Sequence, residues 1–217
     1  MIRVLLVEDQ ALVRAGFRMV IDSQPDMTVV GEAGDGVSGV HQARTVAPDL
    51  VVMDVRMPVL GGIDATRQIH ALPEPPKVVV LTTFDLDEHA LGAIRAGASG
   101  FLLKDAPPED MLAALRTVHA GDAVLAPSTT RRLLDQIAPA TDPVAVQAVA
   151  GLTPREREVL VAMARGWSNG EIARRFVVAE GTVKTHVGQV LAKLRVRDRV
   201  QAVVLAYEAG VVRPGDR

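Results

Sequence analysis

The sequence contains no cysteine. That excludes disulfide staples, thiolate nucleophiles and cysteine-ligated zinc, and it suits a reducing compartment. No apolar run approaches the ~20 residues of a membrane-spanning helix. The N-terminus opens into a strand-like run without a basic, apolar, small-residue leader pattern. The expectation is a cytoplasmic protein that engages no membrane. No glycine-rich loop ending in Lys-Ser/Thr is present, which argues against a P-loop nucleotide motor. Sequence repeats and low-complexity blocks are absent as well.

What is present divides into two parts. The 217 residues carry a net charge of -2, but the charge is unevenly placed. From Gly151 onward twelve Lys/Arg face seven Asp/Glu, a net of +5, while the remainder holds twelve against nineteen, a net of -7. An acidic front and a basic back imply two units with different partners, nucleic acid being a candidate for the second.

The first ~120 residues alternate strand-like runs with amphipathic stretches of helical length, the pattern of a parallel sheet with helices on both faces. Strands are predicted at Ile2 to Val7, Thr28 to Ala33, Leu50 to Met53, Lys77 to Thr82 and Gly100 to Leu103. Helices are predicted at Ala11 to Ser23, Gly36 to Thr45, Gly62 to Ala71, Glu88 to Ala96 and Pro108 to His119. Residues 122–150 read as a linker with a short helix at Arg131 to Ile137, because Ala138 to Ala150 is rich in Ala, Pro and Val with few charges. From Thr153 the pattern is helical throughout: Pro154 to Arg165, Asn169 to Phe176, Gly181 to Leu194 and Arg199 to Ala209. The fold class is therefore α/β plus all-α. A doubly wound five-stranded parallel sheet (1–121) is followed by the linker and then by a four-helix unit (151–217).

Two apolar runs end abruptly in acids. Val4 to Val7 stops at Glu8-Asp9, and Leu50 to Met53 stops at Asp54. Ligands of parallel sheets gather beyond the carboxyl ends of the strands. Three carboxylates there repel one another unless a cation holds them, and a hard oxygen-ligated ion such as Mg2+ fits that donor set. Asp54 is a candidate nucleophile able to form an acyl phosphate. Two further strand ends carry suitable groups, a hydroxyl at Thr82 and an ammonium at Lys104 that offers a point charge to phosphate. Alone, each has a plainer reading: Asp9 could cap the helix from Ala11, and Lys104 could be a solvated lysine. The set of groups on strands one, three, four and five carries the signal.

Val7-Glu8-Asp9, Met53-Asp54-Val55-Arg56-Met57-Pro58, Leu81-Thr82-Thr83 and Ala98-Ser99-Gly100-Phe101-Leu102-Leu103-Lys104 together resemble the receiver domain of two-component response regulators. The resemblance implies a flavodoxin-like fold and phosphorylation of Asp54 by a partner histidine kinase. It implies Mg2+ held by Glu8, Asp9, Asp54 and the backbone carbonyl of Arg56. Thr82 would be the switch hydroxyl, with Thr83 the adjacent alternative, and Phe101 the switch aromatic. Asp105 follows Lys104 where many receivers have proline.

In the basic part, Ser168-Asn169-Gly170-Glu171 fits a capping box. A short turn, Val177-Val178-Ala179, leads into a second helix, which suits a helix-turn-helix. Val183, Val187, Val190, Leu191 and Leu194 form the apolar face of that second helix. The opposite arc carries Thr182, Lys184, Thr185, His186, Gly188, Gln189 and Lys193, groups able to reach phosphates and base edges in a major groove. Leu152-Thr153-Pro154-Arg155-Glu156-Arg157-Glu158, Ser168-Asn169 with Ile172-Ala173, and Thr182 to Val187 closely resemble the LuxR-type DNA-binding domain. With the receiver ahead of it, the chain resembles a NarL/FixJ-type response regulator. In that family the positions of Lys184, Thr185 and Gly188 face the groove. Ala179 stands where Ser or Thr often caps the recognition helix.

The last helix has two apolar stripes, Ala202/Leu205/Ala206/Ala209 and Val200/Val203/Val204/Tyr207. A small unit needs one for its own core, so the second is a candidate seam of a homodimer formed on activation. The expected function is transcriptional regulation on a double-stranded operator, with no catalysis beyond weak self-dephosphorylation. A phosphohydrolase using Asp54 would need a second acid two residues on, where Arg56 stands.

Overall fold

The computed structural model describes residues 1–82, 92–121 and 142–212. Five strands, β1 (Ile2–Val7), β2 (Met27–Ala33), β3 (Leu50–Asp54), β4 (Lys77–Thr82) and β5 (Gly100–Leu103), form one parallel sheet in the order β2-β1-β3-β4-β5. The order reverses between β1 and β3, so the acid-bearing ends of those two strands are neighbours at the switch point. β3 and β4 are buried almost throughout, which is why they read as unbroken apolar runs.

Four helices of the first unit are α1 (Ala11–Asp22), α2 (Gly36–Val46), α3 (Gly62–His70) and α4 (Pro108–His119). The predicted helix at Glu88 to Ala96 falls partly outside the described residues; residues 92–95 are helical. One face of the sheet packs Val4, Leu6, Val52, Val79 and Leu81 with Ile21 and Phe17 of α1 and with Met111, Leu112, Leu115 and Val118 of α4. The α4 residues recur at helical spacing, so one stripe meets the sheet.

The chain divides into two compact units, Met1–Leu125 and Ala126–Arg217. In the second, α5 (Pro143–Ala150), α6 (Pro154–Ala164), α7 (Asn169–Phe176), α8 (Glu180–Leu194) and α9 (Arg199–Glu208) pack together. The helix α5 corrects the linker reading, which ran to Ala150. Asp142 caps it through Val144 N–H, Pro143 occupies its first turn, and Ala145 and Val149 are buried. Composition hid it because the run has no polar face, whereas Asp-Pro at its start was a legible helix signal. The short helix expected at Arg131 to Ile137 lies outside the described residues.

The second apolar stripe of α9 also changes meaning. Val200, Val203 and Val204 are buried, and Tyr207 is half-buried. With α6, α8 and α5 packed on α9, both stripes serve the core of one subunit. The helix that the composition concealed, α5, adds to the cover that α6 and α8 give α9.

One residue near the acids is strained. Val59, between β3 and α3, has φ 68° and is 89% exposed. A left-handed conformation costs a β-branched residue about 1–2 kcal/mol. Glycine removes that strain but loses more chain entropy on folding, a penalty of about 0.5–1 kcal/mol. Val59→Gly is expected to leave a net gain of about 0.5–1 kcal/mol, read as a raised denaturant midpoint at unchanged slope. A lowered midpoint would mean that the valine side chain contributes packing that its exposure denies.

Candidate phosphoacceptor pocket and helix-turn-helix surface

Glu8, Asp9 and Asp54 come together at the ends of β1 and β3, with one carboxylate oxygen from each lying within 4.8 Å of the others. Glu8 and Asp54 are 1% and 3% exposed, whereas Asp9 faces solvent. Asp9 does not cap α1: the cap position is Gln10, and no side chain accepts a bond there. Lys104 reaches in from the end of β5, its Nζ 2.7 Å from Glu8 and 2.9 Å from Asp54. One ammonium thus faces two buried carboxylates. Burial pushes the Glu8 carboxyl up; the Lys104 contact lowers it and the Asp54 charge raises it, with a net rise. Burial pulls the Lys104 ammonium down, but its two acid partners outweigh burial and raise it. Glu8 Oε2 is buried and receives no well-oriented hydrogen bond despite the short ion pair. That leftover acceptor capacity and the surplus negative charge suit a divalent cation with oxygen ligands.

Two supports of the pocket escaped sequence reasoning. Arg14 of α1 donates to the backbone carbonyl of Glu8 at 2.5 Å and pairs with Glu32 at 3.0 Å, holding the acid turn against β2. Gly62 opens α3, where a Cβ would lie 1.9 Å from the carbonyl oxygen of Asp54. Only glycine lets the helix start that close, with Gly62 N–H bonded to Val55 O at 2.9 Å. Arg56 is exposed in this connection.

Thr82 is buried at the end of β4, and Phe101 is buried in β5. Val80 pairs with Phe101 and Thr82 with Leu103. Val79, Leu81 and Leu102 belong to the core on the α1/α4 side, so strand alternation turns Thr82 and Phe101 to the other face together. Thr83 lies outside the described residues. The peptide after Lys104 is trans, no cis bond occurring among the described residues.

In the helical unit the expected Ser168/Glu171 capping box is formed on α7, and a second one, Thr153/Glu156, starts α6. Helix α8 starts at Ala179 with no side-chain cap, as the alanine there implies. Val183, Val187, Val190 and Leu194 are its buried face. Thr182, Lys184, Thr185, Gly188 and Gln189 are exposed, and His186 is half-buried. Thr185 Oγ1 donates to Gly181 O at 3.1 Å, and Lys184 lies 3.8 Å from Glu180 on the surface.

Lys193 sits differently from its grouping with that arc. Its Nζ lies 2.7 Å from Glu156 Oε2, tying the last turn of α8 to the first turn of α6. The Lys193 bond and the Thr153 N–H hold the Glu156 carboxyl down at about 2. A carboxyl depressed in the folded state stabilises above its unfolded value of 4.5 and loses that effect as pH falls toward 2. Glu156→Gln is therefore expected to flatten acid unfolding of this unit across that window. Fluorescence of Trp167, the single tryptophan, reads it, and an unchanged acid profile would remove Glu156 from the tie.

Among the described residues no helix is long and apolar enough to cross a membrane. Residues 4–116 match the family model described as response regulator receiver domain, and residues 150–206 match that of bacterial regulatory proteins, luxR family. The chain is 45% identical over 213 residues to the uncharacterized transcriptional regulatory protein YxjL of Bacillus subtilis (strain 168), covering 98% of each. It is 37% identical over 205 residues to the nitrate/nitrite response regulator protein NarL of Escherichia coli (strain K12), covering 94% of each. Among solved structures, the response regulator ChrA of a heme-sensing two-component system aligns over 97% of this chain and 98% of its own, with a TM-score of 0.53 and 36% identity.

Proposed function

Because this chain belongs to the two-component response regulators of the NarL/FixJ type, a receiver joined to a LuxR-type DNA-binding domain, we propose that Asp54 is the phosphoacceptor that controls operator binding. The observation that carries this is one partly buried ammonium, Lys104, shared by the buried Glu8 and Asp54 beside the exposed Asp9. The donor is a sensor histidine kinase. A carboxylate oxygen of Asp54 forms the new P–O bond as the P–N bond to the donor histidine breaks, and the imidazole leaves.

Glu8, Asp9, Asp54 and the carbonyl of Arg56 would hold Mg2+, which when bound supplies the charge neutralisation that an anionic donor and an anionic acceptor require. Lys104 exchanges one carboxylate partner for a phosphoryl oxygen. The acyl phosphate brings about -2 charge and three acceptors to this pocket. Thr82 turns its hydroxyl to the phosphoryl group, and Phe101, on the same face of the neighbouring strand, moves into the space it leaves. A local charge event thereby biases a packing element with two states.

The output is homodimerisation and DNA binding. Thr182, Lys184, Thr185, His186 and Gln189 of α8 present to the major groove, with affinity that falls steeply with salt. Water attack on the acyl phosphate gives weak self-dephosphorylation, a timer. The protein works in the cytoplasm. The test is selection of DNA from a random pool, then binding with and without Mg2+ and a small acyl-phosphate donor, for wild type and Asp54→Asn. Equal binding throughout would end the proposal.

A further inference from the structure

We propose that the helical unit carries a docking site for an acidic protein segment with an apolar anchor side chain, separate from the DNA-facing arc of α8. A hollow of about 410 Å3 lies along α6, floored by Val161, Ala162, Trp167 and Phe176. Arg157 and Arg165 stand exposed on its rim. That volume accommodates a large apolar side chain.

The floor is held in place before any partner arrives. The Arg155 guanidinium lies 4.1 Å from the Phe176 ring centre, and that of Arg175 lies 4.1 Å from Trp167. The Trp167 backbone N–H donates to Ala162 O at 3.2 Å, and its backbone carbonyl accepts from the buried Arg199, which fixes the main chain that carries the indole. Aromatic and arginine anchors of this kind dominate protein interfaces, and rigid ones lose little entropy on binding.

The charge balance selects the partner. Glu158 also lines this hollow and Glu171 its neighbour, but both acids are already engaged, Glu158 with Arg155 at 2.8 Å and Glu171 with the backbone N–H of Ser168 at 2.7 Å. Arg157 and Arg165 make no ion pair with any described residue. A second hollow of about 310 Å3 across Trp167 adds Arg174. An apolar floor under an uncompensated cationic rim complements acidic residues around an apolar one. Backbone phosphates would meet the rim but leave the floor unused. None of Thr182, Lys184, Thr185 and Gln189 lines either hollow.

Trp167 is the only tryptophan, so its emission reports occupancy in the full chain. The probe is a short N-acetylated peptide of alternating Asp and Glu around a central Leu-Phe pair. It is expected to shift Trp167 emission saturably, whereas a Ser-Ser version and a Lys-for-acid version are not. The Arg157→Glu/Arg165→Glu double variant is expected to bind roughly ten-fold more weakly or worse, with an unchanged thermal midpoint. Val161→Ser, which keeps the rim, is expected to weaken the Leu-Phe peptide alone. Three results would overturn the site: no saturable shift, equal affinity for the Ser-Ser peptide, or undiminished binding by the double variant at unchanged fold. Displacement of the peptide by a short DNA duplex, with the same emission shift, would reassign the surface to phosphate contact.

Discussion

An Asp54→Asn protein given Mg2+ and an acyl-phosphate donor is expected to acquire no aspartyl phosphate and to bind selected DNA at its unstimulated level. An amide oxygen is a poor nucleophile toward phosphorus. Removing the nucleophile of a covalent mechanism costs on the order of 10^3-fold or more. Neighbouring carboxylates do not compensate, since Glu8 is buried against Lys104 and Asp9 points to solvent. The fold should survive and gain. With Asp54 neutral, Lys104 serves Glu8 alone, and one of the influences that raise the Glu8 carboxyl disappears. The thermal midpoint in Mg2+-free buffer should therefore rise, while the midpoint increase given by Mg2+ shrinks because one of three carboxylates is gone. Phosphate-affinity gels and thermal scans with and without Mg2+ measure both. Donor-stimulated DNA binding by the variant would show that the switch acts elsewhere.

Lys104→Met should produce the largest loss of stability. Methionine fills a similar volume but leaves two buried carboxylates without a cation. Breaking a buried pair from one side costs about 3–5 kcal/mol. The pH dependence follows from the raised Glu8 carboxyl. The folded state keeps that proton to higher pH than the unfolded chain does, so its favourable contribution is lost as pH rises through the folded value. In the variant, with the lowering influence of Lys104 removed, the deficit should be small in mild acid and grow toward neutral pH. Mg2+ should restore much of it by replacing the missing positive charge. Phosphorylation should still fall by about 10^2 to 10^3-fold, the usual effect of removing one preorganised charge from a developing anion. Chemical denaturation at mildly acidic and neutral pH, each with and without Mg2+, separates these effects. A variant as stable as wild type at neutral pH without Mg2+ would remove Lys104 as the counter-ion of the acids.

These two residues mark how far local pattern carried. Asp54 and Lys104 were both visible as polar groups ending apolar runs. The sequence placed Lys104 as a future phosphate contact, but its partners in the folded chain are the acids themselves. The Ser168/Glu171 capping box was legible because all its parts lie within four residues. The Lys193–Glu156 tie spans 37 residues, and nothing in the periodicity of α8 marks one lysine of its polar arc as engaged inside the unit. Helix α5 was obscured because a run of Ala and Val without charges looks the same as a linker or as a packed helix. The apolar stripe Val200, Val203, Val204 could be counted but not assigned, since a seam and a core have the same composition.

Apart from α5, element types and their order, and the acid-ended strands, follow from neighbours a few residues apart, where backbone geometry imposes periods of two and 3.6. Pairings across the fold do not. Which carboxylate an ammonium meets, which stripe is covered, and why residue 62 tolerates only glycine beside the Asp54 carbonyl depend on where strands and helices come to rest. In a close-packed interior those distances are set by every neighbouring side chain at once rather than by any local run of residues.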